Sequence, residues 1–231
     1  MTASSRTGVT PIYKETQSLV DRVTHVVRQS IVDGRLRPGQ SVSISDLATD
    51  LGVSHSPVRE ALQRLSGQGL IELRPARTAI VAPLAIEDLR EIYRLRKINE
   101  LDAAVRACPL LTDADLKDLE REFGILSSAS LDADEFWAAH DGFHMILLRP
   151  VATARLERLV LELWEAGERY IRVVYGATDA LKRHSAEERH RPLLEAARSR
   201  DGDVMRAALY EHLDSNEREL ADSLEASLLA S

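Results

Sequence analysis

The chain has 231 residues, 44% of them hydrophobic and 29% charged, and a formal net charge of −7. That length suits one large domain or two modest ones; the composition is too apolar for general disorder, and the charge, taken whole, argues against a protein coated in basic charge for nucleic acid or anionic membrane. The single cysteine, Cys108, excludes an intrachain disulfide framework and a multi-cysteine zinc knuckle, and no apolar run approaches the roughly 18 residues of a membrane span.

Residues 1–16 are polar and lack the apolar core of a signal peptide, so they read as a flexible arm on a cytoplasmic chain with no membrane partner. Residues 17–33 carry Leu19, Val23, Val26, Val27 and Ile31 at helical spacing, and Gly34 stops that helix before a turn at Pro38-Gly39. Ser43 precedes a short helix marked by Ile44, Leu47, Ala48 and Leu51, with Asp46 close to a capping-box position and Gly52 at the end. Ser54 or Ser56 can cap a third helix, which tolerates Pro57 in its first turn and buries Val58, Leu62 and Leu65. After Gly67 and Gly69, residues 70–73 and 78–82 read as two strands of a wing around Arg74, Pro75, Ala76 and Arg77. A boundary falls after residue 83. Residues 1–83 hold ten basic and seven acidic side chains, a balance of +3, and the remainder holds 20 and 30, a balance of −10. Residues 1–83, the arm with the domain of residues 17–83, are thus a basic head and residues 84–231 an acidic body.

Helix, glycine-containing turn and second helix is the layout of a helix-turn-helix. On the third helix His55 and Arg59 are four residues apart and Ser56 and Arg59 three apart. They therefore share a face near the helix N-terminus, where free backbone N–H groups favour phosphate. Arg59 can form a bidentate contact with guanine, while Arg74 and Arg77 on the wing suit backbone or minor-groove contact. By pattern alone the same face is equally a solvated polar one.

The rest of the chain repeats stripes of 3.6-residue period with weak strand signals, the pattern of an all-α bundle. Helices are expected over 87–107, 113–127, 132–148, 152–175, 185–200 and 202–228, with Pro109 ending the first and with Thr112/Asp115 and Ser185/Glu188 spaced as capping boxes. His140 and His144 are i, i+4 on one face, the spacing of a metal pair. His190 and His212 flank a turn at Asp201-Gly202 and come level in an antiparallel hairpin. Four imidazoles facing a bundle interior suit Zn²⁺, with Ni²⁺ or Mn²⁺ as alternatives. Each histidine alone reads more simply as a surface or hydrogen-bonded core residue.

The stretches DGRLRPG, LATDLGVS, SPVREAL and LSGQGLIE resemble, in register over residues 17–82, the winged helix-turn-helix of the GntR family of bacterial transcription regulators. IEDLREIYRLRKINE, HDGFHMIL and RHRPLLEAARSRDGDVMRAALYEHL are similar, over most of residues 85–220, to the FCD ligand-binding domain of FadR-type members. The resemblance implies a mainly α fold, with an N-terminal winged helix-turn-helix and a C-terminal all-α bundle, and a homodimer on double-stranded operator DNA. It puts the base and phosphate contacts at Ser54, His55, Ser56 and Arg59 and the wing tip at Arg77 and Thr78. The family usually has Arg where this chain has His55 and Gly near Thr78, so a fixed bidentate fork is absent here. In the body it implies a divalent metal held by one Asp and three His. The three His match His144, His190 and His212; the Asp position is His140, with Asp141 one step off register and 100° around the helix. Either His140 replaces the carboxylate, giving a four-histidine set, or Asp141 reaches in with a helix distortion; His140 is the preferred fourth ligand, and a neutral ring there makes the site one charge more positive. A small carboxylate effector is implied as well, with Arg96 as its first expected partner and Arg172 as its second. Trp137, Trp164 and Tyr170 either line that cavity or pack the core.

The resulting reading is a ligand-responsive transcription regulator. Its competitor is a metal-dependent hydrolase with an accessory domain, because a few histidines around a cation resemble a catalytic zinc site. That alternative has only Asp141 or Glu211 for a general base and leaves the head unexplained.

Overall fold

The computed structural model describes residues 18–75, 78–128, 133–183 and 186–229; the N-terminal arm, Arg77 and Ser185 lie outside the described residues. The chain clusters into two compact units, residues 1–30 with 39–82 and residues 31–38 with 83–231.

The smaller unit contains α1 (Leu19–Val32), β1 (Ser41–Ser43), α2 (Ile44–Leu51), α3 (His55–Gly67), β2 (Ile71–Arg74) and β3 (Thr78–Val81). Val23, Val27 and Ile31 of α1 are buried, as their four-residue spacing requires, whereas Leu19 and Val26 are 48% and 43% exposed and do not belong to that stripe. The Ser43 hydroxyl accepts from the Ser45 and Asp46 amides and starts α2; Gly52, at φ 65°, ends it in the left-handed conformation that favours glycine. Ser54 occupies the N-cap of α3, but its hydroxyl makes no capping bond. The sheet is antiparallel in the order β1-β3-β2, with Val42 and Leu73 both opposite Ala79. The sequence predicts the β2–β3 wing but not β1, because three residues are too few for alternation to register. Val58, Leu62 and Leu65 of α3 are fully buried together with Ala79 and Val81 of the wing.

The larger unit is helical among its described residues: α4 (Ile86–Ala107), α5 (Asp113–Leu126), α6 (Ala133–Leu148), α7 (Ala154–Arg183), α8 (Ala186–Arg189), α9 (Arg191–Ser199) and α10 (Gly202–Leu229). Short 3-10 turns at Cys108–Leu110 and Arg149–Val151 each contain a proline. Two boundaries differ from the sequence pattern. The α7 helix continues eight residues past 175. The helix expected over 185–200 is broken at His190, which caps α9 with Pro192 in its first turn. A proline ring there denies an N–H to the preceding turn, so the two pieces cannot run as one ladder. Thr112 and Asp115 form a complete capping box at the start of α5, and Asp115 also receives Arg149. At the start of α10, a Cβ on Gly202 would lie 2.9 Å from the Val105 carbonyl oxygen, so only glycine lets this helix begin against the end of α4. Leu89, Tyr93, Leu119, Phe143, Leu193 and Leu209 are at most 1% exposed and anchor one continuous core. Each such side chain contributes roughly 1.5–3 kcal/mol by leaving water.

Candidate metal centre and DNA-reading face

One turn of α6 puts His140 and His144 side by side, with ring centroids 4.6 Å apart. The corner between α8 and α9 supplies His190, and the middle of α10 supplies His212; their centroids lie 5.0 Å apart and each is within 5.3 Å of His144. One nitrogen from each of the four rings falls within 4.8 Å of the other three. All four residues are buried, none more than 7% exposed. So many basic nitrogens inside a core are costly unless they share hydrogen bonds or a cation.

The ring environments fit the second option. His144 Nε2 is buried with no hydrogen-bond partner among the described residues. Burial pushes the His144 pKa well below the ordinary histidine value, and the neighbouring His140, His212 and His190 and Arg96 push it further down. Its lone pair is therefore available at neutral pH. His140 Nδ1 lies 3.3 Å from Asp141 Oδ1, and His212 Nδ1 lies 3.2 Å from the Arg189 carbonyl oxygen. When each Nδ1–H donates to such an oxygen, the ring's Nε2 carries the lone pair, the arrangement found in carboxylate–histidine–metal relays. Of the two residues that competed for the fourth position, His140 joins the cluster and Asp141 stands behind it. Four neutral nitrogen donors at this spacing suit a borderline divalent ion. Aromatic rings wall the cluster, Trp137 at 5.2 Å from His140 and Trp164 at 5.8 Å from His144.

Arg96 is 4% exposed, and its Nε donates to Glu100 Oε1 at 2.7 Å. Burial opposes its charge, but the Glu100 carboxylate outweighs burial and raises its pKa. Its charge is felt at Asp141 and at His144. Glu100 was not singled out in the sequence, although its i+4 spacing from Arg96 was a usable signal. Arg172 donates to Glu168 Oε1 at 2.5 Å and to Asp33 Oδ1 at 2.8 Å, and its guanidinium lies 5.5 Å over the Trp137 ring. Burial raises the Glu168 pKa to about 7 against the pull of Arg172, with Asp141 adding to the rise. Tyr170 packs the core: its hydroxyl donates to Asp88 at 2.6 Å and accepts from the Ala85 amide at 3.3 Å, tying α7 to the start of α4.

In the smaller unit, Pro57 and Val58 turn inward, and Ser54, His55, Ser56 and Arg59 are exposed on the opposite side of α3. Arg59 has no ion-pair partner among the described residues. Arg64, one turn further on, is held by Asp21 at 2.6 Å and by Glu60. Because Ser54 does not cap α3, the first backbone N–H groups are left for an outside acceptor. On the wing, Arg74 pairs with Glu72 at 2.6 Å and the Thr78 hydroxyl donates to the Pro75 carbonyl at 3.0 Å.

Residues 19–81 match the family described as bacterial regulatory proteins, gntR family, and residues 91–215 match the FCD domain. The chain is 28% identical over 201 residues to the HTH-type transcriptional repressor RspR of Escherichia coli strain K12, covering 86% of this chain and 87% of that one. Among solved structures it resembles E. coli McbR/YncC, with a TM-score of 0.75 and 26% identity over 90% of this chain and 100% of the other. A GntR-family regulator from Pseudomonas syringae pv. tomato DC3000 is 30% identical, with a TM-score of 0.52 over 90% of this chain and 88% of its own.

Proposed function

The chain belongs to the GntR family of bacterial regulatory proteins and carries an FCD domain, and on that premise we propose that its helical unit holds a divalent cation and a small carboxylate effector that together control operator affinity. The general activity is established by its kinship: the protein is a DNA-binding transcription regulator and not an enzyme. No helix among the described residues is long and apolar enough to cross a membrane. In the proposed reading a cytoplasmic homodimer sets two α3 helices on two operator half-sites. Ser54, His55, Ser56 and Arg59 reach base edges and phosphates, and Arg77 and Thr78 are the expected DNA contacts from the wing.

The observation that carries the metal assignment is the buried quartet His140, His144, His190 and His212, with one nitrogen of each inside 4.8 Å. The bound ion, Zn²⁺ by the donor type with Ni²⁺ or Mn²⁺ as alternatives, would supply a Lewis-acidic positive charge in the bundle. Four neutral rings leave that charge uncompensated, which favours an anionic ligand beside it. Arg96, whose charge is felt at His144, adds a fixed guanidinium, with Glu100 holding its Nε and its other nitrogens still able to donate. Arg172 is the second candidate, although two carboxylates already occupy it. Of the two general bases open to the hydrolase reading, Asp141 faces the His140 ring, and kinship with transcription regulators speaks against that reading as a whole.

Two experiments test this. In calorimetry, metal-loaded protein is expected to bind a member of a small-carboxylate panel and metal-stripped protein is not; equal binding to both would remove the metal from effector recognition. In gel shifts with the promoter region of its own operon, Arg59→Ala is expected to lose about 1–3 kcal/mol of affinity. Wild-type affinity in that variant would mean that α3 is not the reading helix.

A further inference from the structure

We infer that Arg189 is a positioning residue of the metal centre, tying the corner between α8 and α9 to α10 so that the rings of His190 and His212 stay at ligation distance. The inference rests on the metal reading above and adds to it the part of the fold that keeps the four rings together.

Two of the four histidines share one turn of α6, and their relation is fixed by a single helix. His190 and His212 have no such common support: one sits at a break between helices and the other on a helix that returns from a turn. Something must hold the two segments in register, and Arg189 touches both. It directly precedes His190 in the chain. Its backbone carbonyl faces His212 Nδ1 at 3.2 Å. Its guanidinium donates through Nη1 to the Asn216 side-chain oxygen and through Nη2 to Glu219 Oε2, the latter at 2.6 Å. Asn216 is 5% exposed, and its Nδ2 lies 3.4 Å from His212 Nε2. One residue therefore reaches the surroundings of both ring nitrogens of His212, Nδ1 directly and Nε2 through Asn216, whose amide would have to yield the Nε2 lone pair to a bound ion.

The position explains why this corner needs a clamp. A recess of about 280 Å³ opens there, bounded by Glu188, Arg189, Pro192, His212, Ser215 and Glu219. His212, 5% exposed, forms part of its wall, so water in the recess comes close to one of the four rings. The Arg189–Glu219 pair is half exposed at its acidic end, with 48% of the Glu219 side chain accessible, and an ion pair so placed adds little to global stability. Its effect is on position. A guanidinium fork that bridges two acceptors on α10 resists sliding of the corner along that helix. Metal ligands tolerate displacements of only about 0.2 Å.

The test uses the full chain loaded with Co²⁺, whose visible d–d bands report ligand geometry, and follows release of the ion to excess chelator. Arg189→Ala is expected to release Co²⁺ about 10- to 100-fold faster than wild type, the range over which outer partners of metal ligands act, with weakened d–d bands. Arg189→Lys, which keeps the charge but replaces the planar two-nitrogen fork by a single ammonium on a flexible stem, is expected to recover part of the loss. Glu219→Gln provides an independent arm at an exposed site where folding is not at stake, and a several-fold faster release is expected. If wild type takes up Co²⁺ and both Arg189→Ala and Glu219→Gln release it within twofold of the wild-type rate, the clamp is overturned while the metal reading stands. If wild type takes up no Co²⁺, the metal reading falls and the clamp falls with it.

Discussion

His140 stands where relatives of this type are expected to carry a carboxylate, and the difference is one of charge and hardness. An imidazole is softer than a carboxylate and brings no negative charge, so with all four rings as ligands the proposed site would favour Zn²⁺ or Ni²⁺ over Mn²⁺. His140→Asp is expected to shift the preference toward Mn²⁺ by at least tenfold in competition titrations; an unchanged Zn²⁺/Mn²⁺ ratio would mean that this position does not ligate. Arg96 has a structural role of its own. Its partner Glu100 is 1% exposed, and Arg96→Ala would leave that carboxylate buried and unpaired. A loss of about 3–5 kcal/mol is expected in chemical denaturation. The residue scale was only partly legible in the sequence. The i, i+4 spacing of His140 and His144 was visible, as was the Arg96–Glu100 spacing to a reader looking for it. The place of Asp141 was not, because spacing gives an angle around the helix and does not reveal that a side chain one step off register can reach back to support its neighbour.

At the scale of elements, caps and breaks decide the local geometry. The Thr112–Asp115 capping box was readable from four residues, and the structure adds Arg149 to it. Burial works against the Asp115 charge, but the Thr112 hydroxyl and amide and then Arg149 outweigh it and hold the carboxyl at about 2, below the usual 3.8. A carboxylate depressed in the folded state stabilises the fold above its unfolded pKa and ceases to do so as pH falls through the folded value. The contribution, about 2 kcal/mol, is therefore present above pH 4 and lost between about pH 4 and pH 2. Wild type and Asp115→Asn are expected to differ by that amount in denaturation at pH 6 and to converge near pH 2; a constant gap would exclude the cap as its source. What the sequence hid at this scale was β1 and the break at His190. A three-residue strand exists only because β3 is there to pair with it. The break depends on where Pro192 falls relative to a turn already docked on α10, so both features come from tertiary packing.

The whole molecule divides its charge between a head of +3 and a body of −10. Three net charges per head support few phosphate contacts, and a dimer with about six would give a log–log salt slope of about −5. A slope near −10 in salt-dependent binding would show that the net balance of the head underrates its phosphate contacts. The acidic body repels DNA away from the operator and so confines binding to the reading face.

Gly202 gives the bundle a mechanical property. Its backbone rests against Val105, leaving no room for even one methyl group, and His212 rides ten residues further along the same helix, about 15 Å away. The helix acts as a push-rod: whatever moves its foot moves the ring at its middle by nearly the same distance, because hydrogen-bonded turns do not compress. Gly202→Ala would lift that foot by several tenths of an ångström, more than metal coordination tolerates. The weaker metal binding expected in chelator competition would then come from a substitution that touches none of the ligands, and any signal pressing on the end of α4 would have the same line of action into the centre.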